Sequence, residues 1–196
     1  MRKINALYDD DTVRVYQAYR NEIADEALEL GTFGSHFKKT RMTWIKPSFL
    51  WMMYRAGWAE KEGQERILAI NISKEGFFTI LKNSVLSHYD KKVYENREKW
   101  EEDKQNFSGR CQWDPERDIF GRELDYRAIQ LGIKDVMVEN YINKWIINIE
   151  DITPMVRKLK KMRDEGRDIE GYLPVETELQ IKDSIVIKRL RIDMQK

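Results

Sequence analysis

Residues 41–58 read RMTWIKPSFLWMMYRAGW and hold three of the chain's six tryptophans and three of its eight methionines. Pro47 suits the first turn of a helix and Gly57 its end, so a helix is expected between them. Phe49, Met52, Met53 and Ala56 form one apolar stripe, and Leu50, Trp51 and Tyr54 fill the other sides. A helix apolar nearly all round belongs in a core. This one is expected at the centre of the fold, with Trp51 fully buried.

The cations of the stretch are harder to place. A lysine such as Lys46 at a helix N-terminus is unfavourable by itself, because the free N–H groups and the macrodipole already make that end positive. Helix N-termini bind anions, and Arg41 and the Ser48 hydroxyl would strengthen such a site. A phosphate lodged beside Trp44 would account for both the charge and the aromatics. The alternative is a Lys46 that extends along its stem to solvent.

Outward from this helix, TVRVYQAY (12–19) reads as a strand, and NEIADEALEL as a helix stopped by Gly31. ERILAINI (65–72) is apolar on both faces, as at a sheet centre. Ser73 can cap a helix over KEGFFTILKNSVL (74–86). Residues 90–107 are charge-dense and read as a solvated helix or excursion. RCQWD (110–114) and YRAIQLGI (126–133) read as strands around a turn at DPERDIFG. An amphipathic helix is expected over KDVMVENYINKWIINI (134–149), and another from Thr153 and Pro154 to near Gly166. ETELQI (176–181), the turn KDS and IVIKRLRI (185–192) read as a hairpin. Together these predict an α+β protein, one domain over 1–196, with a central mixed or antiparallel sheet and packed helices.

The chain of 196 residues is 41% hydrophobic, and 35 basic residues nearly cancel 34 acidic ones. A net charge of +1 gives no overall pull toward nucleic acid or anionic membrane, so electrostatic recognition must be local. One cysteine, Cys111, and two histidines, His36 and His88, exclude a disulfide framework and make a metal site unexpected. No run resembles a signal peptide or a membrane span, which reads as a soluble, cytoplasmic protein without membrane contact.

Several polar segments admit two readings. QWDPER (112–117) puts Asp114, Glu116 and Arg117 in a turn after a strand, either as a site or as locally paired charges. Arg127 and Gln130 lie three apart and face opposite sides of a strand. RKLKKMR (157–163) gives five basic residues beside a Val156, Leu159 and Met162 stripe, as a solvated face or a nucleic-acid patch. His88 reads as a packing or capping residue and Cys111 as core.

VYQAY, the Trp-rich stretch, QWDPER and YRAIQLG together resemble the domain-of-unknown-function family 4291 over nearly the whole chain, a likeness that names no activity. VYQAYRNEIADEALELGTF (15–33) also resembles the opening of arginine-type ADP-ribosyltransferases, with a V-Y-R strand, an acidic helix and a Gly-Phe stretch. ETELQIKDSIVIKRL (176–190) is similar to that fold's E-x-E loop and final strand pair. The second resemblance implies an ADP-ribosyltransferase-like fold, NAD as cofactor, and a protein or nucleic-acid acceptor. Under it, Glu178 is the carboxylate stabilising the oxocarbenium-like transition state, and Glu176 faces the acceptor. Arg14, Gln17, Arg41, Lys46 and Ser48 would contact phosphate or ribose, and Tyr16 and Trp44 would stack. Gln17 stands where the V-Y-R arginine would, so Arg14 or Arg20 has to substitute, and the family's Ser-Thr-Ser element has no counterpart. The competing class is a nucleic-acid-binding or RNA-processing module using the basic helix, Arg127 and exposed aromatics.

Overall fold

A computed structural model describes residues 1–193, so the last three residues of the expected domain lie outside the described part. Strand β2 (Thr12–Tyr19) runs antiparallel to β4 (Arg66–Ser73) along its whole length, from Thr12 opposite Ser73 to Tyr19 opposite Arg66. The other edge of β4 takes β8 (Ile146–Asp151), so β4 is central. Its residues Ile67, Leu68, Ala69 and Ile70 are all buried, which is why its sequence shows no alternation.

A second sheet has the order β3 (Thr43–Ile45), β7 (Glu123–Ile133), β6 (Gly109–Arg117) and β5 (Ser84–Leu86). All its pairings are antiparallel except β5 with β6. One reciprocal backbone pair joins the two sheets: Tyr16 N–H donates to Lys46 O at 2.7 Å, and Lys46 N–H to Tyr16 O at 3.3 Å. Short strands β1 (Asn5–Ala6) and β9 (Thr177–Glu178) pair antiparallel beside them.

The alternation of β2 divides the interior in two. Val13 and Val15 face a core shared with the apolar face of the second sheet, α1 (Asn21–Leu30) and α3 (Lys74–Lys82). Tyr16 faces a separate core with α2 (Phe49–Ala56) and α6 (Thr153–Asp164). Gly31 and Gly57 end α1 and α2 in the left-handed conformation, as their positions predict. Ser73 caps α3 by accepting from Gly76 N–H. Helix α4 (Arg97–Asn106) buries none of its residues, in keeping with its charge density. Trp51 is buried, at 6% exposure.

Five expectations are corrected. Helix α2 starts at Phe49, with Ser48 as its cap, and 43–45 is strand, so Pro47 lies outside the helix. The helix from Ser73 stops at Lys82, because Ser84–Leu86 joins the second sheet. Asp114 and Pro115 remain in β6, where a register shift between Pro115 and Arg117 accommodates a residue with no N–H to donate. Helix α5 (Val136–Asn140) and the π-helical turn Tyr141–Trp145 end where the β-branched run begins, and Ile146–Asp151 pairs with β4.

The fifth correction bears on function. No hairpin follows Glu178. It pairs with Asn5 on β1, and 184–190 form helix α7 (Ser184–Leu190). Asp183 caps that helix by accepting from Ile185 and Val186 N–H. Val186 and Leu190, four apart, are buried while Ile185 is 70% exposed, a helical rather than an alternating pattern.

Candidate functional site

On β3, Thr43 and Ile45 turn toward the first core, which sends Trp44 and Lys46 to the opposite, polar face of the second sheet. Trp44 lies across Gly132, and a Cβ there would stand 3.0 Å from the indole. A cleft of about 440 Å³ opens here, between the end of β2, segment 36–42, β3 and the side of α2. Arg20, Lys38, Arg41, Lys46 and Arg55 line it, and no Asp or Glu does. In a chain of net charge +1 this is a local concentration of positive potential.

Lys46 is the unusual member. It is 6% exposed, and among the described residues its Nζ reaches only the Trp44 carbonyl oxygen, at 3.5 Å. Among the described residues neither Lys46, Arg41 nor Arg55 forms an ion pair. Loss of water and then the nearby Arg55 push the Lys46 ammonium down to about 8, against a smaller opposing pull from Asp114. Asp114, on β6, is itself held by Gln112 Nε2 at 3.0 Å and by Gln130 Nε2.

Gln17 sits beneath the cleft at 3% exposure. Its Nε2 donates to Tyr19 Oη and Thr43 Oγ1, both at 2.8 Å, and to Trp44 O at 3.2 Å. Its Oε1 accepts from Tyr141 Oη at 2.7 Å. These bonds use its donors, so Gln17 positions the Trp44 carbonyl and is not free to bind phosphate.

The other expected residues lie on the opposite face of β2. Arg14 Nε donates to Asn71 Oδ1 and its Nη2 to Glu150 Oε2, both at 2.9 Å. Tyr16 is fully buried edge-on to Phe49, with centroids 5.6 Å apart, so it cannot stack on a ligand. Its hydroxyl has no partner among the described residues, and burial, followed by Glu176, pushes it far above the ordinary phenol range. The Ser48 hydroxyl accepts from Trp51 N–H at 3.2 Å as the α2 cap.

The N-terminus of α2 already has a side-chain acceptor from within the chain. Glu176 Oε1 accepts from Phe49 N–H at 2.7 Å. Burial chiefly, with Glu116 adding, pushes the Glu176 carboxyl up to about 8. Residues 44–48 therefore do not form an anion-binding helix start: the cations open sideways onto the cleft. Neither Glu176 nor Glu178 lines that cleft, and the Glu178 carbonyl accepts from Tyr8 Oη at 3.2 Å. The cleft thus gathers Gln17, Arg41, Trp44 and Lys46, while Arg14, Tyr16, Ser48 and Glu176 lie elsewhere.

Arg55 was not legible as a site residue, and Asp114 was legible as a candidate in its own turn but not as a neighbour of Lys46. A cation in the last turn of a helix is favourable without any ligand, and Asp114 approaches Lys46 only through strand pairing. The basic helix is partly compensated by nearby acids. Lys160 pairs with Glu60 at 3.0 Å and Asp164 at 2.9 Å, Arg163 pairs with Asp164 at 2.7 Å, and Arg157 reaches Glu65 O. Arg127 donates to Trp113 O at 3.1 Å. His88 is exposed and bonded to Ser87, and burial pushes the Cys111 thiol up, as for a core residue.

Among the described residues no group of three or more His, Cys, Asp or Glu could hold a metal, and no helix is long and apolar enough to cross a membrane. No curated protein matches the chain. A family model described as "Domain of unknown function (DUF4291)" matches residues 3–179, which include every residue lining the cleft, and the chain belongs to that family.

Proposed function

We propose that the cleft binds the phosphates of a nucleotide, NAD in the first instance, and that the protein transfers ADP-ribose from it to a protein or nucleic-acid acceptor. Phosphate oxygens are assigned to Arg41, Lys46 and Arg55, and a ring of the nucleotide to Trp44. One observation carries the binding: a buried, unpaired Lys46 ammonium in a cleft with no acidic wall. An uncompensated buried charge is costly. Charge-assisted hydrogen bonds from a phosphate would offset that cost.

The transfer step rests on the resemblance of VYQAY and of Glu176 and Glu178 to the first strand and E-x-E loop of ADP-ribosyltransferases. The pairing of Lys160 and Arg163 with Glu60 and Asp164 weighs against the nucleic-acid-binding alternative. The test is thermal unfolding with NAD, ADP-ribose and inorganic phosphate, since a ligand that binds only the native state raises Tm. Stabilisation by NAD that is lost in Lys46→Met supports the reading. An unchanged Tm across all three ligands overturns it. RNA binding that weakens steeply with salt would favour the alternative.

A further inference from the structure

Lys46 differs from the paired lysines of this chain. Lys99 and Lys160 sit against acids that raise their pKa, whereas Lys46 is stripped of water and faces Arg55 from α2. Asp114 of β6, the acid acting on it, is occupied by two glutamine amides. Desolvation beside another cation favours the neutral amine and is one of the ways a lysine becomes a nucleophile. The amine also opens onto a cleft where Arg41 and Arg55, which form no ion pair among the described residues, can hold a phosphate.

We infer that Lys46 forms an imine with the carbonyl carbon of a phosphorylated aldehyde or ketone anchored by its phosphate on Arg41 and Arg55. The Nζ lone pair adds to the carbonyl carbon, both amine hydrogens pass to the oxygen, and that oxygen leaves as water while the C=N bond forms. No oxidant or second reactant is needed, and the phosphate stays intact. The inference shares the cleft with the nucleotide reading but does not depend on NAD. Open-chain ADP-ribose, with a pyrophosphate and an aldehyde carbon, belongs to the same chemical class.

The test uses pyridoxal 5′-phosphate as probe, followed by borohydride reduction and peptide mapping of the intact protein. Lys46 is expected to be labelled about tenfold or more faster than exposed lysines such as Lys91, because desolvation beside Arg55 leaves more of its amine neutral and the cleft holds the probe's phosphate next to it. Inorganic phosphate should compete, and Lys46→Arg should abolish the selective label. Arg55→Ala should slow labelling by pyridoxal phosphate but not by pyridoxal, which has no phosphate to anchor. Label spread over surface lysines according to their exposure overturns the inference, and that result needs no variant to fold. Failure of NAD to stabilise the protein leaves a labelled Lys46 standing. An unlabelled Lys46 in a protein that does bind NAD overturns the imine alone.

Discussion

The backbone N–H of Phe49 donates to the Glu176 carboxyl at 2.7 Å, across 127 residues of sequence. The contact fills the first free donor of α2 from within the chain and ties segment 173–179 to the helix that carries Arg55. Glu176 is raised from 4.5 to about 8, by burial first and Glu116 second. A raised carboxyl contributes stability that is fully present below pH 4.5 and is lost as pH climbs through about 8. Wild type should therefore lose stability relative to Glu176→Gln between those values. Urea midpoints followed across that range check this, and parallel pH curves for the two proteins would refute it.

Lys46 has the opposite sign. Its pKa falls from 10.5 to about 8, so between these values the unfolded chain binds more protons than the native one. Stability should rise with pH across that window and be lowest below it. Lys46→Met removes the uncompensated charge and keeps the stem. It should stabilise the protein at neutral pH by on the order of 1 to 3 kcal/mol, the range for an unsatisfied buried group. The same substitution should abolish the Tm increase given by phosphate-bearing ligands. A less stable Lys46→Met would show that the ammonium is already compensated.

What the chain made legible follows from how local the cause is. Ser73, Gly31 and Gly57 act within a few residues, so the start of α3 and the ends of α1 and α2 could be read, whereas the start of α2 and the end of α3, where short strands of the second sheet adjoin, could not. Ile146–Asp151 and Ser184–Leu190 were misread because their β-branched residues suit either state and tertiary partners decide between them: β4 for the first, the buried Val186 and Leu190 for the second. Lys46 stood out as a cation with no local reason. Its true setting, beside Arg55 and across from Asp114, depends on pairings between distant strands. Gln17 could not be recognised as a buried hub, since its partner Tyr141 lies 124 residues away.

Trp51 tests the core of the opening stretch. Its ring stacks on Tyr54 with centroids 5.3 Å apart, and the Arg117 guanidinium lies 5.7 Å from it. Trp51→Ala should cost about 3 to 5 kcal/mol through the cavity it leaves. Its indole Nε1 has no partner among the described residues, so Trp51→Phe forfeits no hydrogen bond and should cost clearly less. Denaturant unfolding of both variants decides. Equal losses would mean that the indole nitrogen is bonded, and a stable Trp51→Ala would mean that this helix is a surface element.

The transfer half of the proposed function turns on Glu178. Glu176 is engaged with Phe49 N–H, neither glutamate of the E-x-E pair lines the cleft, and it is the resemblance alone that assigns the chemistry to Glu178. Departure of nicotinamide leaves positive charge on the ribose, and a fixed carboxylate stabilises that charge as it develops. Glu178→Gln keeps size and hydrogen bonding while removing the charge, and should slow labelled-NAD transfer or hydrolysis by about a hundred- to a thousandfold. NAD binding should survive, because such a carboxylate acts mainly in the transition state. Measured together, the Tm increase with NAD and the turnover of wild type and variant separate the possibilities. Equal turnover removes Glu178 from the mechanism. A wild type that binds NAD in the cleft and never turns it over, with any acceptor offered, ends the transferase reading and leaves the cleft as a binding site.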